Sequence, residues 1–217
     1  MSTYPLLSLA IWIPIFAGLV VLTTGGDRNA PLARMISLVG AVAAFLITIP
    51  LWVGFDVANG GMQFVELGSW IPRFNINYHL GVDGISMLFV VLNAFITIIV
   101  VAAGWEVIQN KVAQYNAAFL IMSGLMNGIF TSLDGVLFYV FFEASLIPLY
   151  LIIGVWGGPN RVYAAFKFFL YTLFGSLLFL IALMYLFIQS GGSFSILEWH
   201  KLPIALGPQI WLFLAFM

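Results

Sequence analysis

Between Gly135 and Trp156 the sequence reads GVLFYVFFEASLIPLYLIIGVW, a run apolar enough to cross a bilayer that nonetheless holds an acid, Glu143, and a proline, Pro148. Glu143 is the ninth residue of the run. At 1.5 Å per residue that places it roughly 12 Å in, near the middle of a hydrocarbon core about 30 Å thick. An ionisable group there costs about 2.5–3.5 kcal/mol on insertion scales and persists where it faces the bundle interior, water or a partner. Burial raises a carboxyl pKa and a neighbouring lysine lowers it. A carboxyl held between those two influences can take up and release protons near neutral pH. Pro148 has no N–H to offer the carbonyl of Ala144, four residues earlier, so it kinks the helix and leaves a free acceptor next to the acid. The chemistry indicated is proton transfer through a hydrogen-bonded relay. The plainer alternative is an acid that pairs with a lysine on another helix for packing alone.

Lys167 lies six residues after Arg161 in NRVYAAFKFFLYTLFGS, roughly 9 Å along a helix. It could snorkel to the headgroups. Against that, a cation near a helix N-terminus is unfavourable to the dipole, so a partner is expected to hold it. Tyr163 and Tyr171 share its face at i−4 and i+4. A third set comprises Ser123, Asn127 and Thr131, one polar stripe at four-residue spacing in YNAAFLIMSGLMNGIFTSL, flanked by Gly124 and Gly128. Small residues four apart let membrane helices approach closely, which makes these side chains supporting rather than reactive. Ser86, Asn93 and Thr97 repeat the theme more weakly. Asp83 reads as a helix N-cap, and Asp134 as a solvated loop charge.

The elements that must position these groups follow from composition. Of 217 residues, 63% are hydrophobic and 7% charged, whereas soluble domains carry about 25% charged residues. The fold class is therefore an all-α integral membrane protein, since backbone groups in lipid must be satisfied within each segment. About 20 apolar residues make one crossing, which predicts helices at 5–24, 33–55, 84–105, 114–133, 135–156 and 162–189. A seventh starts near 208 and stops after about half a crossing, so the chain is expected to be a piece of a longer protein. The N-terminal segment lacks a basic n-region and reads as a retained first helix. With no cysteine, thiolate-held clusters and disulfides are excluded from this segment. His79 and His200 fall in loops or at helix ends, unsuited to a pair of axial haem ligands. The net charge of −1 and the absence of a basic patch give no sign of nucleic-acid binding.

Arg28, Arg34, Lys111, Arg161 and Lys167 border the loops after the first, third and fifth helices, while Arg73 and Lys201 lie on the other side. The excess of Lys and Arg marks the inner face and puts the N-terminus outside, periplasmic in a bacterium. In the long loop between the second and third helices, FNINYHL alternates apolar and polar residues and predicts a half-buried strand. MQFVELGSWI is its candidate partner, with a turn near Pro72 and Arg73. A lone hairpin is marginal, so this one is expected to rest on another surface, such as a neighbouring subunit.

Three stretches taken together carry a family resemblance: WIPRFNINYHLGVDGISMLFVVLNAF (70–95), FFEASLIPLYLIIGVWG (141–157) and AFKFFLYTLFGS (165–176). They resemble the M subunit of the proton-pumping NADH:quinone oxidoreductase, respiratory complex I, whose mitochondrial counterpart is chain 4. The resemblance implies an antiporter-like helix bundle built on two inverted repeats of about five helices each. Residues 1–217 would form one membrane domain, with the first three helices and the hairpin in 1–110 and an incomplete first repeat in 111–217. It also implies that Glu143 and Lys167 match the family's proton-relay acid and lysine, and that the acid's usual lysine partner lies beyond Met217. The 62–78 hairpin would brace neighbouring antiporter-like subunits of the membrane arm. This chain would hold no cofactor; NADH, FMN, iron–sulfur clusters and quinone would bind partner subunits. The setting would be a bacterial inner membrane or the mitochondrial inner membrane. Two rival readings use the same residues: a subunit of a multisubunit sodium/proton antiporter, and a non-catalytic membrane scaffold.

Overall fold

The computed structural model describes residues 4–217. Its long helices are α1 Leu6–Thr23, α2 Ala30–Val53, α3 Gly84–Val107, α4 Val112–Thr131, α5 Gly135–Trp156 and α6 Arg161–Gln189. A single-turn helix, α7 Ile196–Trp199, and the shorter α8 Leu206–Phe216 follow. Strands β1 Gln63–Ile71 and β2 Ile76–Val82 form the antiparallel hairpin between α2 and α3. The chain is a mostly helical polytopic bundle with a small hairpin.

Among the described residues, five helices are long and apolar enough to cross a membrane: α1, α2, α3, α5 and α6. The sixth expected crossing, α4, has the length but not the apolarity, and its position explains why. It packs against α1, α2, α3 and α5, and Asn116, Ser123, Asn127 and Thr131 on it are all buried. A helix enclosed by other helices need not be soluble in lipid, so it can carry polar groups that protein partners satisfy. Glycine sets the closeness of two of these contacts. A Cβ on Gly128 would lie 2.6 Å from the Phe141 ring of α5, and one on Gly124 the same distance from Ile15 of α1.

Acidic side chains hold the helix starts, where backbone N–H groups lack intrahelical partners. Asp83 caps α3 in a reciprocal box with Ser86 (Ser86 N–H to Asp83 Oδ1 2.7 Å, Asp83 N–H to Ser86 Oγ 3.0 Å). The others reach across the chain. Asp27, in the α1–α2 turn, accepts from the N–H groups of Lys111 and Val112 at the start of α4 (3.1 and 3.0 Å). Glu66 of β1 accepts from Leu7 N–H at 2.8 Å and from the Ser8 hydroxyl at the start of α1. At the other end of α3, Arg34 donates to the Ile108 carbonyl at 2.9 Å, placing a cation where the helix dipole is negative.

The hairpin turns through Pro72–Phe74, with Asn75 in the left-handed region at φ 54°. Its support comes from the chain itself. Leu80 bridges to Ser132 and Asp134 bridges to Ser195, and the Leu133 N–H donates to the His79 carbonyl at 2.8 Å. The α4–α5 connection is thus tied to β2 by an isolated bridge, and the segment at Ser195 to that connection by another, while the sheet itself stays two-stranded. Leu80 and Val82 enter the same core as Leu7 and Ile11 of α1, Val90 of α3, and Leu137 and Phe141 of α5. Asp134 is a correction to the sequence reading. It is not a solvated loop charge: it is 2% exposed and caps α5 by accepting from Val136 and Leu137 N–H (3.0 and 3.1 Å). Its other oxygen accepts from Asn77 N–H of β2 at 3.0 Å.

Candidate functional site

The chain has eight acidic residues, and their places single out one. Asp27, Glu66, Asp83 and Asp134 cap helices. Asp56 closes a turn by accepting from Ala58 N–H at 2.9 Å. Glu106 lies in the last turn of α3 and Glu198 in the four-residue α7. Glu143 remains, midway along α5, with its Oε1 buried and without a hydrogen-bond partner. Burying a polar atom without a partner costs about 1–3 kcal/mol, and more when it is charged. An oxygen kept in that condition is set up to gain a proton, a donor or a cation.

The surroundings of Glu143 on α5 are locally polar. Pro148 is buried inside the helix and withholds an N–H from the Ala144 carbonyl. The Ser145 hydroxyl turns back onto the Phe142 carbonyl at 2.7 Å. One turn before Glu143, the Tyr139 ring stacks on Phe179 of α6, centroids 6.0 Å apart. Thr172 and Ser176 line a crevice of about 360 Å³ between α5, α6 and α8, together with Phe138, Phe142 and Phe179. Tyr171, which sequence spacing offered as a supporting phenol, lies on the exposed face of α6 beside Lys167.

Lys167 stands on an exposed face of α6, its ammonium 5.9 Å from the centroid of the Tyr171 ring. Tyr163 is exposed on the same side. In this chain Lys167 is therefore held by an aromatic face and is not hydrogen-bonded to Glu143 Oε1.

The stripe of α4 is brought together elsewhere. The Asn127 side chain, fully buried, donates to the Ala10 carbonyl of α1 at 2.9 Å and accepts from Asn93 of α3 at 2.7 Å. Asn93 also donates to the Ser123 carbonyl at 2.8 Å, and the Thr97 hydroxyl to Ser123 Oγ at 2.8 Å. Thr131 closes on the Asn127 carbonyl at 2.9 Å. The acceptor on Ala10 is free because Pro14, four residues on, has no N–H. Ser123 and Asn127 thus tie α1, α3 and α4 together, while Thr131 bonds only within α4.

At the hairpin end of the bundle the two titratable neighbours Asp134 and His79 respond to burial in opposite senses. Burial raises the Asp134 carboxyl above its usual 3.8, outweighing the three amide donors that favour its charge. Burial lowers the His79 imidazole below 6.5, against the pull of the nearby Asp134 charge. Among the described residues no three His, Asp or Glu side chains converge on a point that could hold a metal ion.

Comparison with known proteins places this arrangement. A family model described as NADH-ubiquinone oxidoreductase chain 4, amino terminus, matches residues 30–131, and one described as NADH:quinone oxidoreductase/Mrp antiporter, TM, matches residues 132–217. NADH-quinone oxidoreductase subunit M of Rhodobacter capsulatus is 48% identical over 192 residues, which are 86% of this chain and 36% of that protein. A chain of respiratory complex I from Thermus thermophilus superposes with a TM-score of 0.82 at 29% identity, over 97% of this chain and 42% of that one. A chain of the Mrp complex from Dietzia sp. shares the fold, with a TM-score of 0.73 at 18% identity over 86% of this chain and 20% of its own. The chain thus spans less than half the length of these relatives. Two consecutive family models, a helix bundle superposable on complex I and a single unpartnered acid inside a span agree, and this chain belongs to the subunit M (chain 4) family of NADH:quinone oxidoreductases.

Proposed function

We propose that this chain forms part of a proton-translocating subunit in the membrane arm of an NADH:quinone oxidoreductase, with Glu143 as the group that takes up and releases the proton. The observation that carries this reading is the buried Glu143 Oε1, without a partner, midway along α5. A carboxylate in that position is costly unless donors or a cation reach it, and a neutral acid is tolerated. The arrival or withdrawal of a cation therefore sets whether the group is charged. In a low-dielectric interior, making or breaking such a pair shifts both partners' pKa values by units. Quinone reduction in partner subunits, which would hold the FMN and iron–sulfur clusters, drives that change from a distance. Lys167 is the second member of the relay, its exposed face on α6 open to an adjoining helix.

The finer architecture belongs to the same proposal: an antiporter-like repeat beginning at α4, and an N-terminus on the outer side. The excess of Lys and Arg near the α1–α2, α3–α4 and α5–α6 connections supports that orientation. The hairpin would brace a neighbouring antiporter-like subunit. The exposure of Leu67, Trp70 and Phe74 along its outer strand and turn supports this, as apolar side chains there call for cover.

The test is NADH-driven proton uptake in sealed vesicles. Glu143→Gln leaves the complex assembled and removes most pumping; unchanged pumping overturns the reading. The shared fold of the Mrp chain supports a second reading, a sodium/proton antiporter subunit. Co-purification with flavin- and cluster-bearing subunits decides for the oxidoreductase, and sodium-dependent growth at alkaline pH for the antiporter.

A further inference from the structure

The cap on α1 differs from those that Asp27 and Asp134 make, which receive backbone N–H groups alone. Glu66 of β1 receives the amides of Leu7 and Ser8 (2.8 and 3.2 Å) and also the Ser8 hydroxyl. Pro5, at the N-cap position, makes no side-chain cap of its own. The start of α1 therefore takes its acceptor from a strand 58 residues further along the chain.

Beyond Ser8 the bonds continue. Ser8 Oγ lies 3.0 Å from the Tyr78 hydroxyl of β2, and the Trp12 indole N–H donates to that hydroxyl at 3.3 Å. The two ends fix the sense of every hydrogen between them. An indole nitrogen can only donate, and a carboxylate can only accept. Ser8 gives its single hydroxyl hydrogen to Glu66, so Tyr78 is the donor to Ser8. The hydrogens of Trp12, Tyr78 and Ser8 all point toward Glu66. Glu66 and Tyr78 reach α1 together because they share one face of the hairpin. Leu80 stands opposite Glu66 in the ladder, and Tyr78, two residues away, projects to the same side.

We propose that Trp12, Tyr78, Ser8 and Glu66 form a one-way hydrogen-bond clasp that locks the hairpin to the start of α1. Leu67, next to Glu66 and exposed, is thereby held outward on the other face. Successive donors in such a chain polarise one another, so Tyr78 strengthens the hold of Glu66 on the first turn without touching the Leu7 amide. Two residues after Ser8, the Ala10 carbonyl is held by Asn127 of α4, so the hairpin, α1 and α4 move as one body. The clasp is independent of the proton relay and holds whether or not Glu143 exchanges protons.

The experiment is hydrogen exchange of the Leu7 amide in the intact complex, read by mass spectrometry. Tyr78→Phe removes one oxygen, remote from that amide, and raises its exchange several-fold. Trp12→Phe raises it less, being one bond further along the chain. Ser8→Ala cuts the link between Tyr78 and Glu66, and in that background Tyr78→Phe adds nothing more. A general loosening of packing would act in both backgrounds alike. Wild-type exchange in Tyr78→Phe, or an equal rise with and without Ser8, overturns the proposal. Glu143→Gln leaves this exchange at its wild-type value whatever it does to pumping, which separates a failed relay from a failed clasp.

Discussion

The side-chain amide of Asn127 on α4 donates to the carbonyl of Ala10 on α1, the acceptor that Pro14 leaves without a partner. A helix defect and its repair thus come from different helices, more than a hundred residues apart in sequence. Asn127→Leu leaves the Ala10 carbonyl unpaired in the interior and takes from the Asn93 amide one of its acceptors, its bond to Ser123 remaining; an unpaired buried group costs about 1–3 kcal/mol at the upper bound, less where neighbouring groups re-pair. The expected outcome is a complex that dissociates at lower detergent or temperature while pumping per assembled complex is unchanged. Pro14→Ala restores the missing N–H and should recover part of that loss. Absence of recovery in the double variant would show that the two positions are not coupled.

Pro148 makes the corresponding gap on α5, beside Glu143. Pro148→Ala gives the Ala144 carbonyl its intrahelical bond and straightens the helix. Pumping should fall several-fold with assembly intact, measured as proton uptake per NADH oxidised. Glu143→Asp, which keeps a titratable carboxyl on a shorter arm, should retain partial activity where Glu143→Gln retains little.

Asp134 fastens β2 to the start of α5. Asp134→Ala removes an N-cap, typically worth about 1 kcal/mol, and also the anchor of Asn77. Hydrogen exchange at Asn77, Val136 and Leu137 should accelerate together. Asp134→Asn keeps one acceptor oxygen and should be milder.

The pH dependence of this junction has two parts with opposite signs. Asp134 has its folded pKa raised above 3.8, so between 3.8 and that raised value the native state holds more protons than the unfolded one. Its contribution is full below 3.8 and is lost as pH rises through the raised pKa. His79 has its folded pKa lowered below 6.5; its contribution is full above 6.5 and is lost as pH falls through the lowered pKa. Protection of the Leu133 amide, which bonds the His79 carbonyl, should therefore decline on mild acidification below pH 6.5. In His79→Gln that decline should be absent.

What could be read from the sequence was what a single segment determines. Hydropathy placed the fourth helix at 114–133 against the observed Val112–Thr131, and alternation in FNINYHL placed β2. The Asp83 cap was legible because its partners are two and three residues away. The isolated acid in an apolar run was legible because it is costly wherever the run lies. Asp134 was misread because one of its partners, Asn77, is 57 residues distant, and no local spacing announces a strand arriving there.

The modest apolarity of α4, tolerated because four other helices enclose it, also bears on how the chain is made. A segment carrying Asn116, Ser123, Asn127 and Thr131 partitions poorly from the insertion machinery into lipid by itself. The nascent chain must instead hand it over in company, with α1 and α3 already waiting and α5 close behind, so biogenesis here is a collective event rather than a procession of independent crossings.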